Sequence, residues 1–108
     1  MKWIKEIIDV FPYSVISLWD DNQIRTTDLT YFIQTKAKNP NNSYAQLLDE
    51  KRFLEVKCDG TTIYWENGIQ IQDIDGTIIP APLDIDPYIL YKMSTLNIEN
   101  LVDANLLS

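Results

Sequence analysis

Residues 3 to 11 and 13 to 19 are two runs rich in isoleucine, valine and aromatic residues, a composition that suits a pleated, half-buried surface and predicts two extended segments. Pro12 lies between them and cannot donate a ladder hydrogen bond, so it marks a bend or a strand edge. Asp20-Asp21-Asn22 supplies turn chemistry, and Gln23 to Thr27, with Ile24 among polar neighbours, reads as a third strand of an antiparallel meander. The period then changes. Leu29, Phe32 and Ile33 are spaced i, i+3, i+4, which predicts a helix with Asp28 as its N-cap. The polar loop Lys38-Asn39-Pro40-Asn41-Asn42 ends it. A second short helix is expected from Ser43, whose hydroxyl caps the first turn, with Tyr44, Leu47 and Leu48 on one side and Phe53 just beyond.

Between residues 54 and 80 the pattern returns to short β-type runs punctuated by Asp59-Gly60, Asn67-Gly68 and Asp75-Gly76. Such pairs suit two-residue turns with positive φ, so each is expected to close a hairpin and the whole to form a second meander. Pro80-Ala81-Pro82 is expected to break the strand pattern. Asp86 reads as an N-cap with Pro87 in the first helical position, followed by Tyr88, Tyr91 and Met93. After Ser94-Thr95, Asn97 is expected to cap a last helix bearing an apolar stripe, Ile98, Leu101, Val102 and Leu106, against the acidic Glu99 and Asp103. The fold class is therefore α+β: two antiparallel meanders of about six or seven strands, one or two short helices between them, and a helical C-terminal segment. Residues 1–95 read as one domain and 96–108 as an amphipathic extension.

The chain has 108 residues, 45% of them hydrophobic, enough for one core and too few for two. Its formal net charge of -7 disfavours nucleic-acid phosphates and anionic lipid as partners. That charge is unevenly spread: residues 1 to 58 hold eight acids and eight bases, whereas residues 59 to 108 hold eight acids and only Lys92. The acidic half reads either as a solubilising face or as a surface for a basic partner. With no histidine and one cysteine, Cys58, histidine-based triads, Cys/His zinc sites and an internal disulfide are excluded. All three glycines lie in the predicted turns, leaving none for a phosphate-cradling loop. The opening residues mix charge into their apolar run, unlike a signal peptide, and no apolar run has the length of a membrane span; the cytoplasm is the expected compartment.

Asp73-x-Asp75-Gly76 has part of a calcium loop, but Ile71 and Pro82 stand where further oxygen ligands belong, so a hairpin turn is expected. Asp84 and Asp86, with Asp73 and Asp75, offer a carboxylate cluster for a divalent-cation enzyme, although Asp86 is accounted for by helix capping. Cys58 lies beside Lys57, which alternation sends to the opposite face, so a buried structural thiol is expected. Trp3, Trp19, Trp65, Tyr64, Tyr88 and Tyr91 lack the interleaved bases of a stacking platform and read as core. The bases Lys36, Lys38, Lys51 and Arg52 around the central loop and helix read as solvated.

Trp65-Glu66-Asn67-Gly68, followed by Asp84-Ile85-Asp86-Pro87-Tyr88-Ile89-Leu90-Tyr91, is similar to the Trp-x-Asn-Gly and Asp-x-x-Pro-x-x-Leu-Tyr ending of a small bacterial family called domain of unknown function 2442 (DUF2442). The extended segment, polar turn and strand of Val15 to Asp28 and the helix Tyr44 to Phe53 resemble the same family, so that about residues 4 to 91 are covered. The chain departs from it in one place, where Gln72 to Leu83 intervene before the proline-containing helix. The resemblance implies a small α+β fold, no established activity, and a protein partner encoded by an adjacent gene in an arrangement like a toxin and antitoxin pair. The combined expectation is a non-enzymatic interaction module without cofactor or metal. It would bind a protein partner or its own copies, and neither nucleic acid nor membrane; the alternatives are a self-associating structural domain and a small enzyme built on the four aspartates. The apolar terminal stripe needs a cover, supplied by the domain's own sheet, a second subunit or a partner.

Overall fold

Alternation in the first part of the chain becomes strands where it is expected. The computed structural model describes residues 1–97. It contains β1 (Ile4–Phe11), β2 (Ser14–Trp19), β3 (Ile24–Asp28), helix α1 (Thr30–Lys36), a 3₁₀ helix (Ser43–Leu48), α2 (Glu50–Phe53), β4 (Lys57–Cys58), β5 (Ile63–Gln72), β6 (Ile78–Asp84), α3 (Pro87–Met93) and β7 (Ser94–Leu96). Two antiparallel sheets result, ordered β1-β2-β3-β7 and β4-β5-β6, with the helices between and after the meanders. The fold is α+β with meander character.

β2 shows why the first sheet has an inside: Val15, Ser17 and Trp19 are buried while Ser14, Ile16 and Leu18 are only half-buried, the two-residue period of a one-sided strand. Val15 and Trp19 join Ile4, Leu29, Ile33, Leu47, Phe53, Ile63, Trp65, Leu83, Ile85 and Leu90 in a single core. The second sheet closes over it. The Ile4 amide donates to the Thr61 carbonyl at 2.9 Å, so the start of β1 is tied to the loop before β5. Thr62 is buried, and its hydroxyl donates to the Ile85 carbonyl.

Three expected boundaries move, each for a local reason. Asp28 and Thr27 remain paired with Ser14 and Val15 in the ladder, so α1 begins at Thr30 with Leu29 as N-cap, and the Asp28 carboxylate accepts from the Thr30 amide at 2.9 Å. The cap of the next helix is Asn42 rather than Ser43, because Asn42 has the extended backbone a cap requires, and its side chain accepts from the Tyr44 amide at 2.9 Å. That element is 3₁₀, and α2 follows with its own cap, Asp49, which accepts from the Lys51 amide at 3.0 Å.

Two expectations about the second meander are corrected. Asn67-Gly68 does not turn the chain. β5 continues through it, Asn67 takes a left-handed φ of 55°, and the register with β6 slips between Trp65 and Ile69; the dipeptide is a bulge. Pro80-Ala81-Pro82 does not end a strand either, since β6 runs from Ile78 to Asp84 across both prolines. β6 is an edge strand, and an edge tolerates proline where the missing N–H faces solvent. Asp59-Gly60 and Asp75-Gly76 lie in turns, with Gly60 and Gly76 at φ of 85° and 88°.

β7 has no counterpart in the sequence reading, and it spans the 95/96 boundary drawn there. Ser94, Thr95 and Leu96 pair with Thr27, Thr26 and Arg25. The Arg25 guanidinium donates to the Ser94 hydroxyl at 2.6 Å and the Ser94 carbonyl at 3.1 Å, and it stacks 4.3 Å over the Tyr91 ring.

Candidate interaction surface

The bulge divides β5 into two parts with different surroundings. Before it, Ile63 and Trp65 are buried; after it, residues 70–80 are exposed without exception. Beyond Ile69 the β5–β6 hairpin is therefore an arm supported by little more than its own ladder, and an isolated two-stranded hairpin is marginal in water. Its turn is nevertheless well specified. The Asp73 amide donates to the Thr77 carbonyl at 2.8 Å, the Gly76 amide to the Asp73 carbonyl at 2.9 Å, and the Asp75 carboxylate accepts from the Thr77 amide at 2.9 Å. Hydrogen bonds from Thr77, the hydroxyl first and then the amide, hold the Asp75 carboxyl below its ordinary range.

The arm is apolar where solvent reaches it. Ile74 at the tip is 104% exposed, Ile78 64%, Ile71 46% and Ile79 39%. Register assigns the faces: Ile71 stands opposite Ile79 and Ile69 opposite Ala81, in line with the buried Trp65–Leu83 pair, so this face continues the core outward past the body of the domain. No basic residue occurs between Lys57 and Lys92.

The two long edges of the arm differ. The Asp73–Thr77 bond fixes the phase: odd-numbered residues of the arm turn their main-chain groups inward, and Gln70, Gln72, Ile78, Pro80 and Pro82 turn theirs outward. Along β6 two of those outward positions are prolines, which have no N–H to offer. Along β5 the outward groups are covered one after another until the arm begins. Tyr64 pairs with Lys57 of β4, the Glu66 carbonyl accepts from the Arg52 guanidinium at 2.7 Å, and the Gly68 carbonyl accepts from the Gln46 side chain at 2.8 Å. Arg52 is in turn braced by Gln46 Oε1 at 2.9 Å. Gln70 and Gln72 follow, exposed and with no neighbouring strand on that side among the described residues.

The positions that carry the family resemblance do structural work. The Trp65 indole donates to the Phe53 carbonyl at 3.0 Å. Gly68 lets Leu83 approach. The Asp84 carbonyl accepts from the Tyr44 hydroxyl at 2.6 Å, Pro87 occupies the start of α3, Leu90 is buried, and Tyr91 meets Trp19 edge-on with centroids 5.0 Å apart. Trp3 and Tyr88, expected in the core, are exposed.

The four aspartates are not brought together. Asp73 and Asp75 are at the tip of the arm, and Asp84 and Asp86 are at the far end of β6, which at roughly 3.3 Å per residue is about 20 Å away. Asp86 caps α3 through the Tyr88 amide at 2.8 Å. Among the described residues no group of three acidic, cysteine or histidine side chains is arranged to hold a metal ion. A cleft of about 420 Å³ does place Asp84 and Asp86 near Asp59 and Trp3, but Asp59 is occupied by the Thr61 and Thr62 amides, both at 2.9 Å. The Cys58 sulfur is half-buried between the Ile4 carbonyl and the Gly60 amide, and burial pushes its thiol up from the ordinary range. The predicted terminal stripe, Ile98, Leu101, Val102 and Leu106 with Glu99 and Asp103, lies outside the described residues.

Comparison with models of known protein families, with curated proteins and with solved structures found no match to this chain. Among the described residues no helix is long and apolar enough to cross a membrane.

Proposed function

We propose that this chain is a non-enzymatic protein-interaction module of the cytoplasm, and that the β5–β6 arm is the element through which it binds. The observation that carries the reading is the exposed isoleucine surface of the arm: Ile71 and Ile79 extend the core face into solvent, Ile78 lies on the other face beside Gln72, and Ile74 is at the tip. Exposed apolar surface of that kind marks an interaction site, and the exposed hairpin gains order when a partner covers it. The aspartates are consistent with this role, since Asp59, Asp75 and Asp86 serve turns and a cap. The family likeness adds a candidate partner, the product of an adjacent gene, with this chain as the antitoxin-like member of the pair. Co-expression with that product and affinity purification tests the proposal: the wild-type chain retains the partner, and Ile71→Lys with Ile79→Lys releases it while leaving the fold's circular dichroism unchanged. Equal retention by the double variant, or no retention by either, overturns it.

A further inference from the structure

Resting on the reading of the arm as the binding element, we infer that the free edge of β5 pairs with the same edge of a second copy of this chain, antiparallel about Ile71, so that two three-stranded sheets become one continuous sheet.

The choice of edge follows from what blocks the other. Exposed strand edges are normally blunted by proline, charge or a covering element. The outer edge of β6 has Pro80 and Pro82 at positions whose main-chain groups face outward. The outer edge of β5 is covered at Tyr64, Glu66 and Gly68 by β4, Arg52 and Gln46. Within the arm, among the described residues, Gln70 and Gln72 of β5 are left with two successive sets of outward donors and acceptors and no blunting device, whereas on β6 the outward Ile78 is followed by Pro80 and Pro82. The segment Asn67-Gly68-Ile69-Gln70-Ile71-Gln72 contains no charged residue.

The choice of occupant follows from symmetry and charge. Gln70-Ile71-Gln72 is its own complement in antiparallel register. With Ile71 on the two-fold axis, Gln70 of each copy faces Gln72 of the other, and both are outward-facing residues, so each pair exchanges two main-chain hydrogen bonds. Four bonds form in all. Ile71 meets Ile71, and the Ile69, Ile71 and Ile79 side chains of both copies lie on one face of the joined sheet. The second half of the chain holds the whole net charge of -7, and within it this uncharged run is where two copies meet without like charges directly opposed. The same patch on both subunits makes the contact closed and two-fold rather than open-ended. An interface this short belongs to the weaker size class, so association depends on concentration.

The purified full-length chain tests this without any other protein. Light scattering over a concentration series should rise from the monomer mass to twice that value. Gln72→Pro copies onto β5 the device already present on β6; it removes an outward N–H and leaves the β5–β6 ladder bonds in place, and it should hold the mass at that of the monomer. Geometry is tested separately in a Cys58→Ser background. Ile71→Cys puts two thiols opposite one another at a non-hydrogen-bonded pair, where Cα atoms lie about 4.5 Å apart, within disulfide range, and mild oxidation should give a covalent dimer. Ile78→Cys, on the proline-bearing strand, should remain monomeric. A monomer mass at every concentration, or oxidation of the two cysteine variants to the same extent, overturns self-pairing. A chain that stays monomeric yet retains the adjacent-gene product through its arm refutes this inference and leaves the interaction module standing; a dimer that retains nothing does the reverse.

Discussion

Gly68 and Leu83 touch across the β5–β6 ladder: a Cβ at residue 68 would stand 2.3 Å from the Leu83 Cβ. The position needs a hydrogen because a side chain has no room there, whereas Gly60 is needed for its φ of 85° and has open space around it. Gly68→Ala should therefore cost about 1–3 kcal/mol through overpacking against a buried leucine. Gly60→Ala should cost about 1–2 kcal/mol through backbone strain alone. Urea denaturation separates the causes in a Leu83→Gly background, which removes the Leu83 Cβ: Gly68→Ala should cost less there than in the wild-type chain, and Gly60→Ala the same. An undiminished cost at residue 68 would remove the steric account.

The Thr62 hydroxyl ties the loop before β5 to the segment after β6 by donating to the Ile85 carbonyl. Thr62→Val keeps the shape and removes the donor, leaving the Ile85 carbonyl buried without that partner. A loss of about 1–3 kcal/mol is expected in chemical denaturation. A neutral result would mean that the carbonyl finds another donor.

Asp28 links β3 to α1. Hydrogen bonds from Thr30, the hydroxyl first and then the amide, outweigh burial and hold its carboxyl below the ordinary 3.8. The depressed folded value means that the ionised form is favoured by folding. Its contribution is present above the unfolded value and disappears as pH falls from near 3.8 through the folded one. Asp28→Asn should flatten the acid limb of the stability profile between pH 5 and the acid transition, as about predicted by linkage. Parallel acid limbs in wild type and variant would refute the assignment.

Cys58 is expected to be a slow thiol. Desolvation by burial is the leading reason that its thiol is raised, with the Gly60 amide opposing it, so less thiolate is present at a given pH. Alkylation near pH 8 should be slower in the folded protein than in urea, by several-fold on the order expected for a partly buried thiol. Equal rates would show an accessible, unperturbed sulfur.

Strand alternation and capping chemistry were legible where local sequence decides the structure. The β1–β2–β3 meander, the Asp86-Pro87 start of α3 and the Asp75-Gly76 turn all follow from residues close together in the chain. What was not legible depends on partners distant in sequence. Asn67-Gly68 has the composition of a turn, and only the approach of Leu83 from β6 makes it a bulge. Pro80 and Pro82 look like strand breakers until β6 proves to be an edge with those positions facing outward. β7 has three residues and no useful alternation; it exists because Arg25, far upstream, holds Ser94. The arm proposed as the binding element lies in the acidic second half of the chain, and in sequence its isoleucines have the pattern of an ordinary hairpin, since nothing local distinguishes a strand that the body of the domain covers from one that it leaves bare.

The pairing of β3 with β7 also sets an order of events during synthesis. β1, β2 and β3 are complete once Asp28 has been made, but the neighbour of β3 on its other side consists of Ser94–Leu96. At roughly 5–20 residues per second, a nascent chain holds β3 with an unpaired edge for several seconds, while the core residues Phe53, Trp65 and Leu90 are still being added. Ribosome-bound chains arrested before Ser94 are the ones expected to need a chaperone, and those released after Asn97, whose amide closes onto the Ile24 carbonyl at 3.0 Å, are the first with the sheet sealed on both sides of β3.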